Sequence, residues 1–499
     1  MMRHTEQRTG SASSTHRPPR HHHPTPTVRA PFRIAPSNAR IGFALLLSCI
    51  LPATGTPVPP GSGYVVHNKD GFDPFFLSSL DAALQALGSS PGTIYLPPVN
   101  NPSDPNDWIR SSGTIELWAD QSLVGTHRSV IGPPTSNRNG ATIIRFRGSN
   151  ARVVGGLGIY RDASSISSTT GNAIDLYGQD ATAIEAALLN HNIGIYNSNS
   201  NDQVHDLHIA GTFMFGVKTA FVDLTTTTNH GLVLRNCLFM FSDGDGVKYK
   251  GSNNPNQLGV VFHSYHNVII RNVGGTGLRL WGNNHHLERV VIDTVEGHAI
   301  HIGSDASLPT RWLTLANASI ANAGVRVDKP TDDQWGGAWV INRNQSALAA
   351  DRHGFFIDEW SKNVDVRHTL FLNNAGDGIR IKGNSGSATP QHVRVVGCEF
   401  ISNGAYSPSA AYAGIHVLSL NGGTVEYLLF TNNRIYNDIT IGPGQRASGT
   451  GHKYGIWLEN AITNAIISVN EASGAGDKAG YVGIQNNTTG SGRVINDNL

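Results

Sequence analysis

One short pattern governs what this chain can fold into. A turn-forming residue and a glycine are followed by apolar and polar residues in strict alternation, and the unit recurs through most of the sequence. Its fullest copy is Asn373-Asn374-Ala375-Gly376-Asp377-Gly378-Ile379-Arg380-Ile381-Lys382-Gly383. Related copies are Gly246-Val247-Lys248-Tyr249-Lys250, Gly277-Leu278-Arg279-Leu280, Ala299-Ile300-His301-Ile302, Gly324-Val325-Arg326-Val327, Gly354-Phe355-Phe356-Ile357, Gly414-Ile415-His416-Val417 and Gly455-Ile456-Trp457-Leu458. Alternation with a period of two is the signature of a strand with one buried face. The copies recur at intervals of about 22 to 41 residues, in the range of stacked repeats that bury a continuous core only by neighbouring one another.

Each repeat carries further short strands, such as Val364-Asp365-Val366-Arg367-His368, and no sustained helical period. The fold class expected is therefore all-β: a right-handed parallel β-helix of ten or more coils. Val247, Leu278, Ile300, Val325, Ile379 and Ile415 are expected to form continuous inward stacks. Asparagine tolerates left-handed backbone and can bond the backbone of a stacked neighbour. Asn322, Asn373, Asn403 and Asn437 are accordingly expected to form a ladder. The 56 glycines suit a turn-rich solenoid.

A solenoid needs its first coil covered. From Phe72, Leu77, Leu80, Leu84 and Leu87 fall at helical spacing, and Gly88 ends the segment. Then follow Gly92-Thr93-Ile94-Tyr95-Leu96-Pro97-Pro98, Gly113-Thr114-Ile115-Glu116-Leu117 and Ser122-Leu123-Val124-Gly125. This order of helix, strand, strand and turn resembles the N-terminal cap and first coil of the pectate-lyase-like superfamily. The resemblance runs from about residue 64 to the end. It implies a carbohydrate-active β-helix, and it leaves lyase, hydrolase, uronan epimerase and non-catalytic surface protein open.

Residues 1–40 hold seven arginines, one acid and no lysine, a composition that builds no core. The apolar run from Ile41 to Leu51 is short for a membrane span and suits the hydrophobic region of a secretory signal. The expected organisation is a basic leader and signal over 1–55, a cap with the first coils over 56–140, and the β-helix over 141–499 with a long insertion at about 328–352. Secretion or another extracytoplasmic location is expected, with lipid anchoring at Cys49 as the alternative and no transmembrane span in the mature chain. Beyond residue 55, 30 basic residues face 35 acidic ones, which speaks against nucleic acid as a partner. Cys237 and Cys398 occupy equivalent places on separated coils, where they read as small buried apolar residues without a shared disulfide.

The polar residues between the rung apolars should stack outward: Lys248, Arg279, His301, Arg326, Phe356, Arg380, His416, Trp457. Like charges stacked at strand spacing oppose folding, so this column points to a polyanion. Elimination from a uronate needs a base for the C5 proton and a cation for the carboxylate. Lys248, Arg279, His298, His301, Arg380 and Lys382 supply such groups, with Asp245 and Asp377 beside them as carboxylates. Trp281, Trp335, Trp339, Trp360, Arg326, Phe356 and His416 are the expected substrate-binding residues. Trp312 belongs to the same tryptophan-rich region, and Asp358-Glu359 and His285-His286 are further candidates.

Ser242-Asp243-Gly244-Asp245-Gly246, Gly297-His298-Ala299 and Arg380-Ile381-Lys382 resemble, in order, the signatures of polygalacturonase-type hydrolases. Ala299 replaces the glycine expected there, and the intervening Asp-Asp pair is missing. The function expected is binding and cleavage of an acidic, uronate-containing polysaccharide by β-elimination. Polygalacturonase-like hydrolysis and non-catalytic polysaccharide binding are the alternatives. Related lyases often use Ca²⁺ to neutralise the carboxylate; no dedicated calcium loop stands in this sequence, and any metal ligands are unassigned.

Overall fold

Alternating apolar residues on three short strands per repeat can all be buried only if the chain coils and stacks. The computed structural model describes residues 64–68, 75–161, 170–180, 182–251, 262–303, 308–328, 340–342, 352–384, 389–405, 411–438, 451–472 and 482–496. They form a right-handed parallel β-helix. The leader expected over 1–55 lies outside these residues.

Each complete coil gives one strand to each of three faces. Phe355–Ile357, Lys362–Arg367 and Leu370–Leu372 make one coil, and Ile379–Gly383, Gln391–Val396 and Glu399–Ile401 make the next. The first face is a 13-stranded sheet running from Ile115–Leu117 to Val482–Thr488. Val247, Leu278, Ile300, Phe355, Ile379, Ile415 and Ile456 stand in register along it, all fully buried. Phe239, Ile270, Ile292, Ile320, Phe371, Phe400 and Ile435 do the same on the third face. Each such side chain contributes about 2 kcal/mol on burial, so the core grows by a fixed increment per coil.

Val325 is not a member of the inward stack. Arg326–Asp328 instead pairs antiparallel with Val340–Asn342, and the coil is completed by Phe355–Ile357. Val325 is still buried, in a small corner cluster with Ala375 and Ala405, so its apolar character serves the turn rather than the rung. In sequence the hairpin strands thus fall between the third-face strand Ser319–Ala323 and the first-face strand Phe355–Ile357.

The N-terminal helix spans Leu80–Leu87 and buries Leu80, Ala83 and Leu87. Ser79 caps it by accepting from the Ala82 N–H, and Gly88 closes it with φ 57°, a conformation that favours glycine. Beside it, Tyr64–Asn68 pairs antiparallel with Phe75–Leu77 and Gly92–Tyr95, and Gly92–Tyr95 begins the parallel stacking on Gln121–Val124. The antiparallel strand covers the solenoid's first edge.

The asparagine ladder exists, with a partly different membership. At the corner between the third and first faces Asn374 Nδ2 donates to Asn403 Oδ1 at 2.8 Å, and at the corner between the second and third faces Asn433 Nδ2 donates to Asn470 Oδ1 at 2.9 Å. Asn373 and Asn322 sit one residue earlier, at a corner where Asn272, Thr294, Asn322, Asn373 and Ser402 all have positive φ. Asn437 pairs with the backbone of His452 instead. Cys237 and Cys398 are buried free thiols, whose Sγ atoms donate to backbone carbonyls at the corner between the second and third faces.

Candidate functional site

Pairing on the first face puts the residues between the rung apolars into two outward columns. One runs Lys248, Arg279, His301, Phe356, Arg380, His416, Trp457. The second, two residues further along each strand, runs Lys250, Trp281, Gly303, Asp358, Lys382, Leu418, Glu459, by direct pairing or continuation of the register. The first is the expected column with Arg326 removed, because Arg326 belongs to the hairpin.

A third line of residues precedes each strand: Asp245, Thr276, His298, His353, Asp377. Three of their side chains cap the next rung. Asp245 Oδ1 accepts from the Thr276 N–H at 2.7 Å, His298 Nδ1 from the His353 N–H at 3.0 Å, and His353 Nδ1 from the Asp377 N–H at 3.0 Å. Asp377 continues the pattern through Oδ1 and the Ala413 N–H at 2.7 Å. Since both histidines accept at Nδ1, each carries its proton on Nε2. They are stacked, with centroids 5.4 Å apart. Burial, reinforced by neighbouring cations and imidazoles, pushes His298 far below the usual histidine range. Burial likewise brings His353 down to about 3.

Asp377 is fully buried at the centre of a network. Its Oδ2 lies 3.0 Å from Arg380 Nη1, 3.3 Å from His416 Nδ1 and 3.4 Å from His353 Nδ1. Burial alone would raise its carboxyl, but His416 and Arg380 beside it outweigh that and hold it well below the carboxylate range. Arg380 Nη1 is also 2.8 Å from His416 Nδ1, and His416 Nε2 is 2.8 Å from Glu459 Oε2. Nδ1 thus faces both Asp377 Oδ2 and the guanidinium, and Nε2 faces Glu459. His416 is 1% exposed and stacked on Trp457 at 4.1 Å. It positions the network and offers no surface to a ligand, which corrects its expected role in substrate binding.

The accessible part of the site lies beside this network. Asp358 bridges two columns: its Oδ2 is 3.6 Å from His301 Nε2 and its Oδ1 is 3.7 Å from Lys382 Nζ. Glu359 adds a carboxylate 3.8 Å from Lys382. Phe356 forms the floor, 5.0 Å from the His301 ring and 6.0 Å from Lys382 Nζ. Trp281 closes one side. Gly303 gives it room, since a Cβ there would stand 1.9 Å from the indole Nε1. His301 Nε2 is buried and faces Asp358 Oδ2 at 3.6 Å without a hydrogen bond.

Of the expected catalytic residues, Arg380, Lys382, His301, His298 and Asp377 come together here, and Arg279 adjoins His301 on the next rung. Arg279 is 4.0 Å from Asp245. Lys248 is one rung further and tied to Asp223 at 2.6 Å. The basic column is thus neutralised by acids on neighbouring positions: Asp223, Asp245, Asp358, Asp377 and Glu459. Trp360 is half-buried after Glu359, at φ 65°. Trp335 and Trp339 lie outside the described residues. His353, Glu459 and Asp223 were missed from sequence. The signal for His353 was present, because it occupies the place before Gly354 that Asp377 occupies before Gly378. Among the described residues no three histidine, cysteine, aspartate or glutamate side chains converge where they could hold a metal ion, and no helix is long and apolar enough to cross a membrane.

No family model matches the chain, and no curated protein matches it. Among solved structures it is similar to the A-module of the Azotobacter vinelandii mannuronan C-5 epimerase AlgE6, at 14% identity over 84% of this chain and 94% of that one, with a TM-score of 0.44. It is also similar to the catalytic domain of a GH87 alpha-1,3-glucanase, at 13% identity over 83% of this chain and 67% of that one, TM-score 0.42. A third is bacteriophage CBA120 tailspike protein 3, at 12% identity over 83% and 59%, TM-score 0.37.

Proposed function

We propose that the protein is a carbohydrate-active enzyme that binds an acidic, uronate-containing polysaccharide along the first face and cleaves it by β-elimination outside the cell. The observation that carries the reading is the cluster His301–Asp358–Lys382, which sets an imidazole and a cation on either side of one carboxylate above an aromatic floor. His301 Nδ1 takes the C5 proton, the electron pair forms the C4=C5 bond, and the C4–O bond breaks as the departing oxygen takes a proton from solvent. Lys382 and Arg279 neutralise the substrate carboxylate so that charge on the developing enolate is stabilised. Asp358, 3.6 Å from His301 Nε2, favours a proton on that nitrogen by charge and so favours the Nδ1 lone pair for the substrate. Trp281 and Phe356 supply apolar surface for a sugar ring.

Hydrolysis fits less well, because it needs one protonated carboxyl group across the scissile bond and Asp377, the most enclosed carboxyl of the site, is held ionised. The test is product chemistry on polygalacturonate and alginate. Elimination yields an ultraviolet-absorbing unsaturated uronate with each new reducing end. Reducing ends without absorbance would make the protein a hydrolase, and neither signal on any uronan would remove the catalytic assignment.

A further inference from the structure

The second face carries an anomaly of its own. At one register position, near the start of successive strands, stand Asn284, Trp312, Asn363, His392, Tyr427 and Asn464. All six have left-handed backbone, with φ between 53° and 60°. Asparagine is suited to that conformation, whereas bulky aromatic residues adopt it rarely and under strain. Three rungs nevertheless place an aromatic ring there. Trp312 is 42% and Tyr427 46% exposed, and His392 is exposed and stacked on Tyr427 at 4.6 Å with the rings 4° from parallel. Core packing therefore does not account for these rings, and strain kept at an exposed position points to function.

We infer that Trp312, His392 and Tyr427, with Asn363 and Asn464 between and beyond them, form a second glycan-binding strip along the solenoid axis. Its ligand is a stretch of the same polysaccharide chain cleaved on the first face, so the inference rests on that reading. Because His392 and Tyr427 cover one face of each other, the strip offers a sugar their exposed rims and outer faces together with Trp312, and the interleaved amides both donate and accept hydrogen bonds to hydroxyls. A protein partner would call for a continuous apolar patch, which the amides interrupt. The strip itself contains no lysine, arginine or acid, so it takes hold of sugar rings and hydroxyls rather than of the uronate charge.

The experiment compares the full chain with the Trp312→Asn/Tyr427→Asn double variant on native gels cast with polygalacturonate, alginate or a neutral β-glucan. The wild type is expected to be retarded by at least one polymer, and the double variant about tenfold less. Its melting temperature should be unchanged or higher, because asparagine relieves the left-handed strain, and its kcat on oligosaccharides too short to reach the strip should be unchanged. Trp312→Phe should retain the retardation. Equal retardation of wild type and double variant, a lowered melting temperature that marks the rings as structural, or a wild type unretarded in every gel would each overturn the strip. Cleavage with no effect of the double variant would remove the strip and leave the elimination reading intact. Retardation lost in the variant of a protein that cleaves no uronan would do the reverse.

Discussion

Asp377 shows what the amino-acid pattern reveals and what it hides. Its place before Gly378 marks it as a turn residue, and Arg380 three positions on is an evident partner. Alternation also predicted that Arg380 and His416 would be neighbours. The pattern could not show that His416 would be sealed by Trp457 and Glu459, because burial at an outward position depends on the size of side chains on the next coil. Replacing Asp377 with Asn leaves Arg380 facing a neutral amide in a buried network, at a cost of about 3 kcal/mol, measurable by urea unfolding at pH 7. The folded carboxyl is depressed, so its contribution is complete above the ordinary aspartate value and is lost as pH falls. The gap between wild type and Asp377→Asn should therefore narrow below about pH 4. A cost under about 1 kcal/mol would mean that Arg380 and His416 need no anion between them.

At the scale of the strand, the inward positions of the second face include groups that alternation assigns to the core and chemistry assigns to the surface. His263 and His285 lie in register between Leu232 and Leu313, their rings 4.9 Å apart. His285 Nε2 donates to the Trp281 carbonyl at 3.0 Å, so the strand that carries Trp281 to the site is fastened from inside the barrel. The spacing of His285 was legible, and its side chain type argued for a loop. Burial pushes His285 down to about 4, His191 to about 3, and His263 well below its ordinary value. With His353 at about 3 and His298 lower still, five histidines are neutral in the fold. Above about pH 6.5 both folded and unfolded chains leave them neutral and they add no pH dependence. Below it the unfolded chain takes up protons that the fold refuses, so stability falls with falling pH, each histidine contributing up to about 1.4 kcal/mol per pH unit. Unfolding midpoints in urea from pH 7 to 4.5 should decline with a slope of several protons. A flat profile over that window would show these imidazoles to be protonated or solvated in the native state.

For the whole molecule, the solenoid was the most legible feature, because period-two alternation repeated at whole-coil intervals has few other solutions. The cap was readable for the same reason: Leu80 and Leu87 and the stop at Gly88 follow helical spacing. Most of the expected insertion at about 328–352 lies outside the described residues, and Val325 and Arg326 carried the letters of a rung without its pairing, since a hairpin strand alternates like any other. Less visible were the acids that neutralise the basic column. Asp223, Asp358 and Glu459 lie on different coils, and only the register brings them beside Lys248, Lys382 and His416. The proposed chemistry depends on one consequence of that register, the placement of His301 and Lys382 on either side of Asp358. The most direct measurement is kcat for unsaturated-product formation from a uronan by wild type and His301→Ala at equal folded fraction. Loss of a general base predicts a fall of about 10²- to 10⁴-fold with KM little changed. A variant within about threefold of wild type in kcat would contradict it.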